Sequence, residues 1–176
     1  MRRWLSVLSL LLTGLLPPQT APTNWSKQAS DAGGFTAMFP VAPKESSDTK
    51  TVPQGDIVTH LFMTTSDGFL CLIGYTDYPV EVDVEQELVL DRDNFAKEVK
   101  ATVSSSQRTK FSGGPGDELP ALDFTATADT GTFKGLVIVV AGRRTYMVAA
   151  FNRKGSDHTA DIEYFFTAFK LTSKKS

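Results

Sequence analysis

The stretch Asp56 to Tyr75, DIVTHLFMTTSDGFLCLIGY, constrains the fold more than any other part of the chain. Ile57, Thr59, Leu61 and Met63 fall on one side of an extended backbone, and Val58, His60, Phe62 and Thr64 on the other, because side chains alternate along a strand. Ser66-Asp67-Gly68 is a turn, and Phe69 to Tyr75 returns as an apolar partner strand. A hairpin of this kind commits the chain to an antiparallel sheet. The returning strand runs on into Thr76-Asp77-Tyr78-Pro79, with Pro79 fixing the exit from the sheet. Tyr75, Asp77 and Tyr78 then have two readings. They form a turn in which Asp77 bonds local backbone amides, or a polar, aromatic rim suited to a protein or small-ligand surface. The second reading makes these three the candidate partner- or ligand-binding residues.

The remaining elements follow the same rules. Phe35, Ala37 and Phe39 alternate as a short strand, and Pro40 and Pro43 suit the end of an edge strand. Asp83, with Gln86 three residues later, predicts a helix start. Val84, Leu88, Phe95, Val99 and Val103 then form one stripe that runs to the serines at 104–106. Four strands follow, SSQRTKF, LPALDFTATA, TFKGLVIVVA and TYMVAAFN, separated by SGGPGDE, DTG and GRR turns. Leu136 to Ala141 is apolar on both faces, which predicts a central strand covered on both sides. A last helix begins after Ser156 or Asp157 and presents Ile162, Phe165, Phe166 and Phe169 on one face. The expected fold class is α+β: a mainly antiparallel sheet of about seven strands covered by two helices, an α/β/α sandwich.

At the N-terminus, Arg2 and Arg3 precede Trp4 to Leu16, an uncharged, mostly apolar run stopped by Pro17-Pro18. The run is shorter than the roughly 20 residues a spanning helix needs, and a basic start before it reads as a secretory signal. Residues 1–21 are thus expected to be a signal peptide or an uncleaved short anchor, residues 22–34 a polar tether, and residues 35–172 a single domain. An uncleaved N-terminal segment would be the only contact with a membrane. Without Arg2 and Arg3, 16 basic residues stand against 20 acidic ones, a net charge near −4 that offers nucleic-acid phosphates no basic excess. One cysteine, Cys71, forms no internal disulfide, so packing alone must hold an exported fold.

The path from GFTAMFPVAPKE, through GYTDYP and the DNFAKEV helix, to GRRTYMVAAF and ADIEYFFTAFKL resembles the PsbP-like domain over residues 33–172. That family includes the extrinsic photosystem II protein and many exported bacterial proteins. A nuclear-transport factor that binds the Ran GTPase shares its fold. The resemblance implies a docking or scaffolding domain in the periplasm or outside the cell, and it carries no catalytic motif to transfer.

Other chemistry has a bland counterpart at each position. Cys71 shares a strand face with Phe69, Ile73 and Tyr75 and has no base or cation near it in sequence, so a buried structural thiol is expected. His60 and His158 are the only histidines and cannot build a three-histidine zinc site. Glu81, Asp83, Glu85 and Glu87 alternate as calcium ligands would, but acidic residues also favour a helix start. SGGPGD lacks the lysine and hydroxyl of a phosphate-binding loop. The expectation is a non-enzymatic exported domain that binds an envelope or secreted protein or aids its assembly, with no cofactor and no metal. The alternatives are a small-ligand or divalent-cation binder, and a hydrolase built from distant loops. Residues 1–30 fused to a reporter active only outside the cytoplasm should give activity; a silent reporter with normal expression would refute export.

Overall fold

The computed structural model describes residues 22, 24–116 and 118–172; the expected signal segment, residues 1–21, lies outside them. The elements run β1 (Ser26–Ser30), β2 (Phe35–Phe39), β3 (Lys44–Val52), β4 (Gly55–Ser66), β5 (Phe69–Asp77) and α1 (Val84–Glu98). They continue with β6 (Thr102–Phe111), β7 (Leu119–Ala128), β8 (Gly131–Val140), β9 (Arg144–Arg153), α2 (Thr159–Ala168) and β10 (Lys170–Leu171). The fold is α+β. Seven antiparallel strands form one sheet in the order β3-β4-β5-β9-β8-β7-β6, and a small second sheet has the order β1-β2-β10.

The β4–β5 hairpin closes through Asp67-Gly68, with Ser66 opposite Phe69 and both turn residues at positive φ (48° and 82°). Such a turn matches the right-handed twist of the strands, and Asp-Gly meets it with little strain. The expected two-sided strand lies within β8, where Val137, Ile138 and Val139 are all buried. The middle of the seven is not this expected strand but β9, between β5 and β8.

The two faces are covered differently. Phe62, Ile73, Tyr75, Tyr146 and Val148 face a layer made of β2 and α2, where Phe35, Phe39, Phe165 and Phe169 complete an aromatic core. On the other face, Leu122, Phe124, Val137 and Val139 pack under α1 through Leu88 and Phe95. Strands β3 and β6 form the edges and are almost wholly exposed and polar. Polar and charged edges discourage pairing with another chain.

Four other expectations change. Strand β2 is not in the main sheet; it is the central strand of the small one, bonded to β1 and β10, and Pro40 simply ends it. Its expected place among seven strands is taken by β3, whose exposed sequence KESSDTKTV carries no apolar alternation to reveal it. Residues 24–34 are not a tether, because β1 pairs along the whole of β2 and the Trp25 ring packs on Phe69, Tyr164 and Phe165. Helix α1 stops at Glu98, not at the serines. Lys100 takes positive φ (53°), and the amides of Lys100 and Ala101 bond back to the carbonyls of Lys97 and Ala96. This is a Schellman ending without its usual glycine, and it puts Val103 on β6 instead of the helix.

Helix α2 begins at Thr159 with His158 at its cap position, one residue after the expected Asp157. Asp157 still accepts the Thr159 amide, at 3.2 Å. Phe165 and Phe169 are buried, whereas Phe166 is half-buried beneath Lys134, 5.1 Å from its ring centroid. Phe165→Ala or Phe169→Ala should therefore destabilise the protein by about 3–5 kcal/mol, and Phe166→Ala by clearly less. Urea unfolding of the three variants checks this order.

Candidate functional site

The chain leaves β5 and reaches α1 along a strap that is tied to the β8–β9 turn. Tyr78 and Val82 donate their amides to the carbonyls of Arg143 and Gly142, at 2.9 and 2.8 Å. Asp83 then caps α1 by accepting the Gln86 amide at 2.8 Å, as its sequence predicts. Two arginines draw the helix toward the β6 edge. Arg108 binds the carboxylate and carbonyl of Glu85, at 2.8 and 2.9 Å, and Arg92 donates to the Ser106 hydroxyl at 2.9 Å. The Phe95 ring meets Phe124 and Phe133 edge-on. Helix α1 thus covers β6, β7 and β8 and leaves the same face of β4, β5 and β9 only partly covered.

A groove of about 360 Å³ fills that gap. Its floor is three cross-strand rows. Thr59, Thr76 and Thr145 form one end, Leu61, Gly74 and Met147 the middle, and Met63 and Leu72 the other end. Its wall is one side of α1: Asp91, Phe95, Glu98 and Val99. Gly74 deepens the floor because it has no side chain. A Cβ there would lie 3.6 Å or more from its nearest neighbours, so a methyl group would enter the groove floor in ordinary van der Waals contact.

The threonine end is polar and partly closed. Asp91 lies within hydrogen-bonding reach of the buried Thr145 hydroxyl and of Glu87, one turn earlier on α1. Burial pushes the Asp91 carboxyl up to about 6, although the Thr145 bond opposes the shift. Tyr78 donates its hydroxyl to Glu87 at 2.5 Å. Burial also raises Tyr78, which stays a neutral phenol at physiological pH.

The three candidate residues go to different layers. Tyr75 is buried in the aromatic core, with His60 stacked on it at 4.6 Å and Arg144 4.7 Å from its centroid. Asp77 receives two hydrogen bonds from Arg144, at 2.5 and 2.6 Å. Burial works against the Arg144 charge, but the bonds to Asp77 and Tyr146 more than offset it. Tyr78 alone turns to the groove side. The structure therefore brings Tyr75 and Asp77 together through Arg144 and separates both from Tyr78.

Cys71 is fully buried on the face opposite the groove, and burial pushes its thiol well above the usual range. His60 and His158 are on that opposite face as well; His158 bonds Asp161 at 3.0 Å. The acidic run diverges. Glu81 lies 3.7 Å from Arg143, Asp83 caps the helix, Glu85 pairs with Arg108 and Glu87 accepts from Tyr78. Among the described residues no three His, Cys, Asp or Glu side chains are placed to share a metal ion. Nor is any described helix long and apolar enough to cross a membrane.

None of the groove's lining residues, Gly74, Asp91, Thr145 and Met147 among them, was a candidate from the sequence, and none of Tyr75, Asp77 and Tyr78 lines it. One signal was present: Leu61 and Met63 on one face of β4 alternate with Val58 and Phe62 on the other, so the strand carries apolar residues on both sides. No protein-family model matches the chain, and neither does any curated protein.

Asp91 has a consequence for stability. Its folded-state value near 6 exceeds the ordinary 3.8, so between roughly pH 4 and 6 the folded state holds a proton that the unfolded chain has released. Stability from this group is thus full at low pH and is lost as pH rises through about 6. Asp91→Asn, with Glu87 and Tyr78 left in place, should stabilise the protein at pH 7.5 by up to about 3 kcal/mol. Thermal melts should show the gain vanish near pH 4; a variant no more stable than wild type at pH 7.5 would contradict the assignment.

Proposed function

We propose that the protein is a non-enzymatic, exported binding domain of PsbP-like kind, and that the groove beside α1 is where it binds. The observation that carries this reading is the open, mostly apolar floor over β4, β5 and β9. Its volume sits at the lower end of the roughly 300–1,000 Å³ typical of small-ligand sites. The concave shape favours the small-ligand alternative over docking on a flat protein surface. The exposed large apolar residues support the flat-surface reading less well: of Val41, Met63, Val80 and Leu90, only Met63 borders the groove. The hydrolase alternative draws no support from the groove lining, which contains neither histidine nor cysteine. The basic and apolar N-terminal segment supports export to the periplasm or beyond.

Gly74→Leu tests the site directly, because it adds bulk to the floor at a position where a Cβ meets only ordinary contacts. Nile red, a neutral apolar dye, should brighten with the wild-type protein, bind at least five-fold more weakly to Gly74→Leu, and be little changed with Gly74→Ala. All three proteins should melt at similar temperatures. Equal dye binding by a folded Gly74→Leu protein would place the apolar site elsewhere.

A further inference from the structure

The two ends of the groove differ in chemistry. At one end Thr59 and Thr76 approach to 3.1 Å between hydroxyl oxygens, and Thr145 completes the row beneath Asp91. At the other end Met63 and Leu72 are apolar, and the middle row has no polar side chain. The lining is also one-signed: its charged residues are Asp91 and Glu98, and neither lysine nor arginine contributes. Behind Asp91 stands the carboxylate of Glu87, which already has the Tyr78 hydroxyl as its donor. Asp91 itself lies within reach of the Thr145 hydroxyl and of Glu87, and among the described residues no cation pairs with it.

We infer that the groove takes a small amphiphile with an apolar body and a cationic, primary-ammonium head, the head seated at Asp91 and the threonine row. This assignment rests on the groove being the binding site. An ammonium carries three donors and no acceptor. The threonine end presents acceptors only partly used within the fold: the Asp91 carboxylate and the hydroxyl oxygens of Thr59 and Thr76. A charge-assisted bond to a half-buried carboxylate is stronger than its neutral counterpart, and it offsets the burial of Asp91. An anionic head would meet two carboxylates, Asp91 and Glu87, at short range. A neutral head would leave the Asp91 charge uncompensated. The body then lies over Gly74 against Leu61, Met147 and Phe95, displacing water from apolar surface.

Octylammonium, 1-octanol and octanoate share one body and differ in head charge, so their displacement of Nile red at pH 7.5 separates the terms. Octylammonium should bind at least ten-fold more tightly than octanol, with octanoate the weakest. Asp91→Asn should bring octylammonium to the octanol level and leave octanol unchanged. Asp93→Asn, an exposed α1 carboxylate outside the groove lining, should alter octylammonium less than two-fold, which separates local pairing from a general negative field. Thr76→Val, which removes a hydroxyl from the head end, should weaken octylammonium several-fold and gives a second probe should Asp91→Asn not fold. Equal binding of octylammonium and octanol by the wild type, with both lost in Gly74→Leu, would keep the groove and overturn the ammonium head. Octylammonium binding that survives Gly74→Leu would overturn the groove itself. A leucine-rich peptide carrying one lysine that binds more tightly than octylammonium would overturn the small-molecule assignment in favour of a partner's side chain.

Discussion

A seven-stranded sheet is wider than a helix. With strands about 4.8 Å apart it measures roughly 29 Å across, whereas a helix with its side chains is about 10–12 Å thick. Two helices cannot cover both faces of such a sheet, and the rest of the molecule follows from that mismatch. One face is completed by a second layer, the β1-β2-β10 sheet beside α2. The other receives α1 alone. A lone helix has a choice of position, and here the arginines at 92 and 108, with the Phe95 contacts, draw it to the β6 side. The uncovered remainder is the groove.

The second layer depends on a different interaction. Arg144 lies against the Tyr75 ring, holds Asp77 through two bonds and donates to the Ala32 carbonyl at 2.9 Å. Beside it, Tyr146 donates its hydroxyl to the Gly33 carbonyl at 2.6 Å. The turn between β1 and β2 is thereby tied to the middle of the main sheet, and its carbonyls enter the interior with donors already in place. Removing one member would leave the others without partners in a partly buried setting, where an unmade bond is expensive. GYTDYP is therefore the point at which the chain changes layers: Asp77 serves the aromatic layer, and one residue later Tyr78 serves the helix layer.

The parts of the fold that could be read from the chain were those with local causes. The Asp67-Gly68 hairpin, the Asp83 cap and the two-sided Val137 to Val139 run each depend on residues a few positions apart. The parts that escaped had distant causes or no periodic signal. Strand β3 is a strand because β4 offers it a ladder, not because its own residues alternate. Strand β1 exists because β2 and Trp25 hold it in place. The end of α1 was hidden because a lysine occupies a position where glycine is the usual marker. The site suffered most. Asp91 reads as an exposed helix residue, and Gly74 as an ordinary break in an apolar strand, until they stand across one groove.

By itself the sequence determined the α+β class, the antiparallel pairing, the apolar faces of both helices and the burial of Cys71. Each follows from periodicity, capping or hydrophobicity along a short stretch. Only the tertiary structure decided which strand stands at the centre, that β2 belongs to a second sheet, and that Tyr75 and Tyr78 point into different layers. It also decided where α1 comes to rest, and with that the position, size and acidic character of the groove. Such features are set by competition for surface among elements far apart in the chain. Local propensity records that a face must be covered, but not which element covers it or how much it leaves open.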